Sequence, residues 1–485
     1  MSNLLASLSG AGNAVSVFEN ALTVSQNNIV NSATPGYAEE SPTLQALPLD
    51  LPAGLSGGVA SGPVVDARDL YAEKAVQQAQ TNLGSAQQQV TALQSLQSTF
   101  DLTGTAGITG ALNQLFSAFS TWAATPTDTT ARQSVVTGAQ NLAQAFQQES
   151  QAVSTVASNA DSTLSGVVDQ VNTLTQRIAN DNVQRASGQD PSVDADLYNN
   201  LQQLSALVPI TTLKESDGST TVLLAGQTPL VVGQFQYNIS SQVGIPQNPP
   251  PTNPGGPPSD QVLDASGNDI TAEITGGQIG GLLQARNGTI AQLQGDAYQQ
   301  GSLNQLAQAI ADRVNALLTG GNISNADATT GAPAVPGIPL FTYTNSTNAA
   351  QTLAVNPAIT PDQLAAIQPG PPEVDNGVPL TLANLATPQN AADEVNNMSY
   401  QDFFGNMAGK VGSAIATAQG NQTTGQQQLT QAENLRQQSS GVDLNQEAIR
   451  VLQFQQAYNA ASKMVSVLND LTNTIITAIN PLPAA

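Results

Sequence analysis

The chain has 485 residues, of which 40% are apolar and only 10% charged, so it is long enough for several domains with real cores. Acidic residues outnumber basic ones by 35 to 12, and the net charge of −23 argues against nucleic acid and anionic lipid as partners, because both are held by Lys and Arg. With no Cys and no His, the chain lacks disulfides, thiolate or imidazole metal ligands and every Ser-His or Cys-His catalytic arrangement. The reading is therefore of a non-enzyme with no catalytic residues, no cofactor and no metal.

The first element predicted is a long helix. Leu4, Leu8, Ala11, Val15, Phe18, Leu22, Ser25 and Ile29 recur at spacings of four and three, a coiled-coil seam with little charge. Asn27 to Tyr37, NNIVNSATPGY, then ends it with an Asn-rich cap, a Pro-Gly turn and an aromatic anchor. Residues 1–63 are taken as this helix and a connecting segment. No continuous apolar run preceded by basic residues opens the chain, so a cleaved signal peptide is not expected. No run reaches the ~18 apolar residues of a membrane span, so no membrane insertion is expected either.

Proline marks the divisions that follow. It is absent from 64–125 and 127–190, where Val90, Leu93, Leu96 and Phe100, then Leu115, Phe119 and Trp122, then Leu164, Val167, Val171, Leu174 and Ile178 form core-facing stripes. Asp128 is the expected cap of the helix after Pro126. Residues 64–205 read as the first part of a helical bundle and 206–275 as a β-rich domain, with strand-turn-strand chemistry at SDGS and GQTP. A second strand pair is expected in QVLDASGNDITAEIT, turning at Ser266-Gly267-Asn268. Leu282, Leu283, Ile290 and Leu293, then Leu303, Leu306, Ile310, Val314 and Leu317, return the chain to helix over 276–320. An irregular, β-containing insert at 321–390 and a last bundle segment at 391–438 follow.

Residues 439–485 form the second terminal helix. Leu444, Ala448, Val451, Phe454, Tyr458, Ala461, Val465, Leu468, Thr472, Ile475 and Ile479 keep one apolar seam along it. At ~1.5 Å per residue it is on the order of 55 Å long. The fold class expected is mainly α with a β-rich inserted domain: long coiled-coil-type terminal helices, a bundle, and an outer β domain, with both ends of the chain at one end of the molecule.

Three features are set aside as sites. Gly10-Ala11-Gly12 lacks the strand and third glycine of a dinucleotide loop and reads as close helix packing. Gly276, Gly277, Gly280 and Gly281 have no phosphate-binding Lys and read as a flexible turn. Asp190, Asp194 and Asp196 lack the Glu and glycine that complete a calcium loop.

The segment from Asn27 to Tyr37 resembles the N-terminal signature of the axial proteins of the bacterial flagellum, and Ser440 to Lys463 is similar to its C-terminal half. Within that group, PTDTTAR at 126–132, GGLLQAR at 280–286 and LAQAIADRVN at 306–315 resemble the hook-associated protein 1 family, the FlgK hook-filament junction proteins. Where that family often carries LLDQRD, this chain has DLYNNLQQ at 196–203. The resemblance implies an extracellular structural subunit between hook and filament, exported without a cleaved signal peptide. It implies self-association in the flagellar axis, contacts with the hook protein and the other junction hook-associated protein, and passage through an export chaperone and the type III export apparatus. The assembly residues expected are Leu4, Leu8, Val15, Phe18, Leu22, Asn28, Ile29, Asn31, Pro35, Gly36 and Tyr37 at the front. At the back, Val451, Phe454, Tyr458, Ala461, Val465, Leu468 and Ile475 are expected to meet a chaperone first and a neighbouring subunit later. Weakly charged helices with narrow seams gain most of their stability from partners, so free ends are expected to order on assembly.

Overall fold

The computed structural model describes residues 2–50, 55–97, 100, 106–187, 190–246, 249–327 and 329–479. The chain opens with α1 (Ser2–Asn31), a hairpin of β1 (Glu40–Asp50) and β2 (Leu55–Asp66), then α2 (Leu70–Gln97), α3 (Gly107–Ala124), α4 (Thr129–Ser187) and α5 (Pro191–Leu207). The hairpin lies inside the segment read as a simple connection. Pro42, Pro48 and Pro63 masked it, because proline argues against a strand; in a two-stranded ribbon both strands are edges and proline is tolerated.

Local chemistry sets the helix starts. Asp128 caps α4 by accepting from the Thr130 amide at 2.9 Å. Both Trp122 Nε1 and Arg132 Nε donate to the Pro126 carbonyl, at 3.2 and 2.8 Å, so the PTDTTAR stretch is a turn pinned from both flanking helices. Asp190 caps α5 in the same way, accepting from Ser192 N at 2.9 Å, with Pro191 at the first helical position. Asp194 pairs with Arg185 at 2.7 Å, so these acids serve helix ends and an ion pair.

The expected β region is an antiparallel meander of β3 (Ile210–Lys214), β4 (Thr220–Leu224), β5 (Thr228–Val232) and β6 (Phe235–Gln236). The second pair differs from expectation. β7 (Ser240–Gly244) pairs with β8 (Ser259–Leu263) across the proline-rich loop, whereas the turn after β8 closes only a single bridge, Leu263 to Asp269. Asp264 is the reason: its carboxylate accepts from the Ser266 and Asn268 amides, each at 2.8 Å, and winds the chain too tightly for a ladder.

The chain then enters α6 (Gly277–Leu283), a π-helical turn (Gln284–Ile290), α7 (Ala291–Gln294) and α8 (Ser302–Thr319). The glycines read as a flexible turn are instead packing contacts. A Cβ on Gly281 would stand 2.3 Å from the Ser85 carbonyl oxygen, and Gly277, at φ +68°, sits against the backbone of Leu207. Short strands β9 (Asn322–Ser324), β10 (Val335–Pro336), β11 (Phe341–Thr342) and β12 (Ala354–Val355), with α9 (Ala349–Thr352) and α10 (Gly377–Asn384), make up the insert. Two long helices finish the chain, α11 (Tyr400–Ser440) and α12 (Leu444–Ile479).

At ~1.5 Å per residue the 59 residues of α4 run about 90 Å, and its two halves belong to different cores. Val135, Leu142 and Phe146 join Phe119 and Trp122 of α3, Leu306 and Ile310 of α8, and Tyr400 and Phe404 of α11. Further along, Leu164, Val171 and Ile178 pack on α5, on Val222 and Leu224 of β4, and on Ile279 and Leu282 of α6. A small third cluster joins Val76, Ala79 and Leu83 of α2 to Leu429 and Ala432 of α11. The stripes expected in 90–178 are buried throughout. On α8 the last buried position is Leu318, with Leu317 half-covered.

Candidate assembly interface and its joint

α1 packs along α12 and is flanked on another side by the hairpin. The pair is antiparallel: Glu39, just beyond the end of α1, forms an ion pair with Arg450 in the first turns of α12 at 2.6 Å. On α12, Val451, Phe454, Tyr458, Val465 and Leu468 are half-buried and Ala461 is buried, which is the predicted seam turned toward α1. Ile475 is exposed, and the side chain of Ile479 lies outside the described residues. On α1, of the predicted positions Ala11, Ser25 and Asn28 are buried and Leu4, Leu8, Val15, Phe18, Leu22 and Ile29 half-buried, while Val17, Ala21 and Val24, outside the predicted seam, are buried too. Two neighbours, not one, cover α1, and the deepest stripe is displaced around the helix from a single-partner seam. Gly12, read as a close-packing position, is exposed with open space around its Cα.

The two terminal helices thus close on each other within the chain. Another face of α12 stays uncovered. Ile449, Leu452, Met464, Val467 and Leu471 are all exposed, with Met464 at 58% and Leu452 at 59%. Exposed apolar side chains in such a row mark an interaction surface.

Where the two terminal helices meet the bundle, polar groups lock them in place. Asn28 is fully buried; its Nδ2 donates to the Glu40 carbonyl at 2.8 Å, and its Oδ1 accepts from the Glu40 amide at 3.0 Å and the Tyr37 hydroxyl at 2.8 Å. One amide side chain thus satisfies both backbone groups at the start of β1 and the aromatic anchor. Asn31 and Thr34 close the intervening turn, with Thr34 N donating to Asn31 O at 2.9 Å and Tyr37 N to Thr34 O at 3.1 Å. Pro35 at its tip is exposed. Gly36, at φ +79°, lies so close to α5 that a Cβ would stand 2.2 Å from the Ala195 carbonyl oxygen. That position accepts only glycine.

Arg68 fixes the other side of the same turn. It donates to the Gly36 carbonyl at 2.8 Å, pairs with Glu73 at 2.8 Å and lies 3.7 Å above the Tyr198 ring. Tyr198 stands in the segment that departs from the family's LLDQRD, and its aromatic face takes up the cation. Glu73 also meets Arg436 at 3.4 Å, and Arg436 reaches Gln202 at 2.8 Å.

The break between α11 and α12 is the last part of the joint. Buried Ser440 accepts from Glu39 N through its carbonyl and from Asp69 N through its hydroxyl, both at 2.9 Å, so it holds the two sides of the hairpin base. Asp443 caps α12 by accepting from Asn445 N at 2.9 Å. Arg450 bridges Glu39 and the fully buried Glu447, the latter at 2.5 Å. Hydrogen bonding to Glu39 holds the Arg450 guanidinium further above its already high value. Burial pushes the Glu40 carboxyl up to about 7, with Asp66, Asp194 and Asp190 adding repulsion, and pushes the Tyr37 phenol well above its ordinary range. Asn28, Asn31, Pro35, Gly36 and Tyr37 were among the residues singled out from the sequence; Arg68, Glu73, Ser440 and Arg450 were not, and the bonds of Ser440 to Glu39 and Asp69, of Glu73 to Arg436 and of Arg450 to Glu39 each span hundreds of residues.

Paired chain ends, an uncovered apolar helix face and a hydrogen-bonded joint beside the bundle are the features of a structural protein rather than of a catalytic or ligand-binding one. Residues 93–333 match the family described as flagellar hook-associated protein FlgK helical domain, and 436–478 match the flagellar basal body rod FlgEFG protein C-terminal family. Flagellar hook-associated protein 1 of Bacillus subtilis is 22% identical over 517 residues, covering 98% of each chain. That of Salmonella typhimurium is 25% identical over 350 residues, 69% of this chain and 60% of the relative. The solved structure of the flagellar hook junction protein FlgK from Burkholderia pseudomallei shares the fold, with a TM-score of 0.61 at 16% identity over 75% of this chain and 99% of the other. The chain belongs to the FlgK family of flagellar hook-associated proteins.

Proposed function

We propose that this chain is the structural subunit that joins hook to filament, working through its paired terminal helices and without catalysis. The observation that carries the reading is the terminal unit: α1 and α12 close one seam between them, are fixed to the base of the hairpin at Asn28, Ser440 and Arg450, and leave a second apolar face of α12 open. Rigid attachment transmits load from the helices to the bundle, and an open apolar face supplies self-association along the flagellar axis.

The partners at either end of such a layer are the hook protein and the other junction hook-associated protein. Before assembly, the α12 residues Val451, Phe454, Tyr458, Ala461, Val465, Leu468 and Ile475 serve as the binding stripe for an export chaperone, and the chain passes through the type III export apparatus. Among the described residues no helix is long and apolar enough to cross a membrane. Deleting the gene tests the reading. Cells should carry hooks without filaments and release flagellin into the medium; intact filaments would contradict it.

A further inference from the structure

The described faces of α1 and α12 that remain open are complementary. On α1 the exposed positions Leu5, Ser9, Gly12, Ser16, Thr23 and Val30 run down one side, small in the middle and bulky at both ends. Gly12 has open space where a side chain would sit. On α12 the exposed row is bulky where α1 is small, with Met464, Val467 and Leu471. Glu19 is the sole charged side chain of α1, and Lys463 is the sole cation of α12 beyond Arg450; both are exposed and neither has an ion-pair partner among the described residues.

We propose that the open apolar row of α12 seats on the small-residue face of α1 in a second copy of this chain, in the register that sets Lys463 against Glu19. The proposal rests on the self-association reading above and specifies its contact. Antiparallel helices in that register place Ser16 opposite Val467 and Gly12 opposite Leu471, bulky side chains over small ones. The same register brings the two large exposed residues of α1 onto apolar partners, Val30 onto Leu452 and Leu5 onto Ile475 and Ile476, all exposed in the single chain. A charge pair and two independent apolar matches thus agree on one alignment. Because the two faces lie on different helices, the contact is heterologous, so each copy offers one face to the copy before it and the other to the copy after it.

The chain contains no cysteine, so introduced ones report contacts without background. Ser16→Cys and Val467→Cys versions of the full chain are co-expressed in one strain, flagella are isolated and oxidised, and the products are resolved by denaturing electrophoresis. A covalent dimer should form only when both variants are present. Flagella that contain both variants without that dimer would overturn the contact while leaving the junction reading intact. So would Val467→Cys cross-linking to itself or to a different protein that also carries a cysteine. Absence of the chain from isolated flagella in the unsubstituted strain would instead overturn the reading beneath. Lys463→Glu should reduce the fraction of cells with filaments, and adding Glu19→Lys should restore it; no rescue counts against the register.

Discussion

The interior and the terminal unit are stabilised differently. Around α4 the fully buried side chains include Trp122, Phe119, Phe146, Tyr400 and Phe404, and the helix joins two cores closed by chain-internal contacts alone. In α1 and α12 the buried apolar residues are small, Ala11, Val17, Ala21, Val24 and Ala461, and a row of large ones is exposed. Burial of a large apolar side chain is worth about 1.5–3 kcal/mol, so the interior holds its own stability while the ends keep theirs in reserve for neighbours. Polar groups at the joint compensate by fixing direction where packing is thin.

The comparison breaks most visibly at Phe454. Phe454→Asp places a charge in the seam between α1 and α12; it should abolish filament assembly, scored by electron microscopy, while the main thermal transition of the purified chain stays unchanged. Trp122→Ala should do the reverse, lowering the stability of the interior by about 3–5 kcal/mol in denaturant titration. Asn28→Ala leaves both Glu40 backbone groups and the Tyr37 hydroxyl without partners and should cost about 2–3 kcal/mol, localised to the joint by hydrogen exchange of the Glu40 amide.

A smaller effect depends on pH. Glu149 is buried in α4 with Oε1 unpartnered, and burial pushes its carboxyl from 4.5 up to about 8. The folded chain keeps that proton where the unfolded chain has lost it. Stability from this group is therefore complete below about 4.5 and declines as pH rises toward 8. Glu149→Gln should flatten that slope and stabilise the chain by about 1–3 kcal/mol at pH 8, read from melting curves across the range. Arg132→Ala should have the smallest effect, about 1 kcal/mol, because Trp122 still holds the Pro126 carbonyl.

What could be read in the sequence follows period and capping chemistry. The stripes at 90–178 and the seam of α12 came from spacing, the meander after Val208 from β-branched runs and turn residues, and Asp128 from cap preference, whereas the capping role of Asp190 was not read. The first hairpin was hidden by its prolines, the β7–β8 pairing by a long loop between the strands, and the packing role of Gly277 and Gly281 by the absence of any local sign that another backbone approaches them. Periodicity also showed a seam on each terminal helix; that Met464 and Val467 stay outside the contact between them is a matter of tertiary placement. At the joint, Asn28, Gly36, Ser440 and Arg450 stood within recognisable motifs, whereas Arg68 lies outside them and acts through Gly36 and Tyr198, contacts no local pattern encodes.

The most direct test of the account is hydrogen exchange of the isolated chain set against the same chain in assembled flagella. The interior amides of α3, α4 and α8 should be protected alike in both. Those of α1 and of α12 beyond Ala461 should exchange far faster in the isolated chain and become protected on assembly. Equal protection of the terminal helices in the two states would contradict the claim that they draw their stability from neighbouring copies.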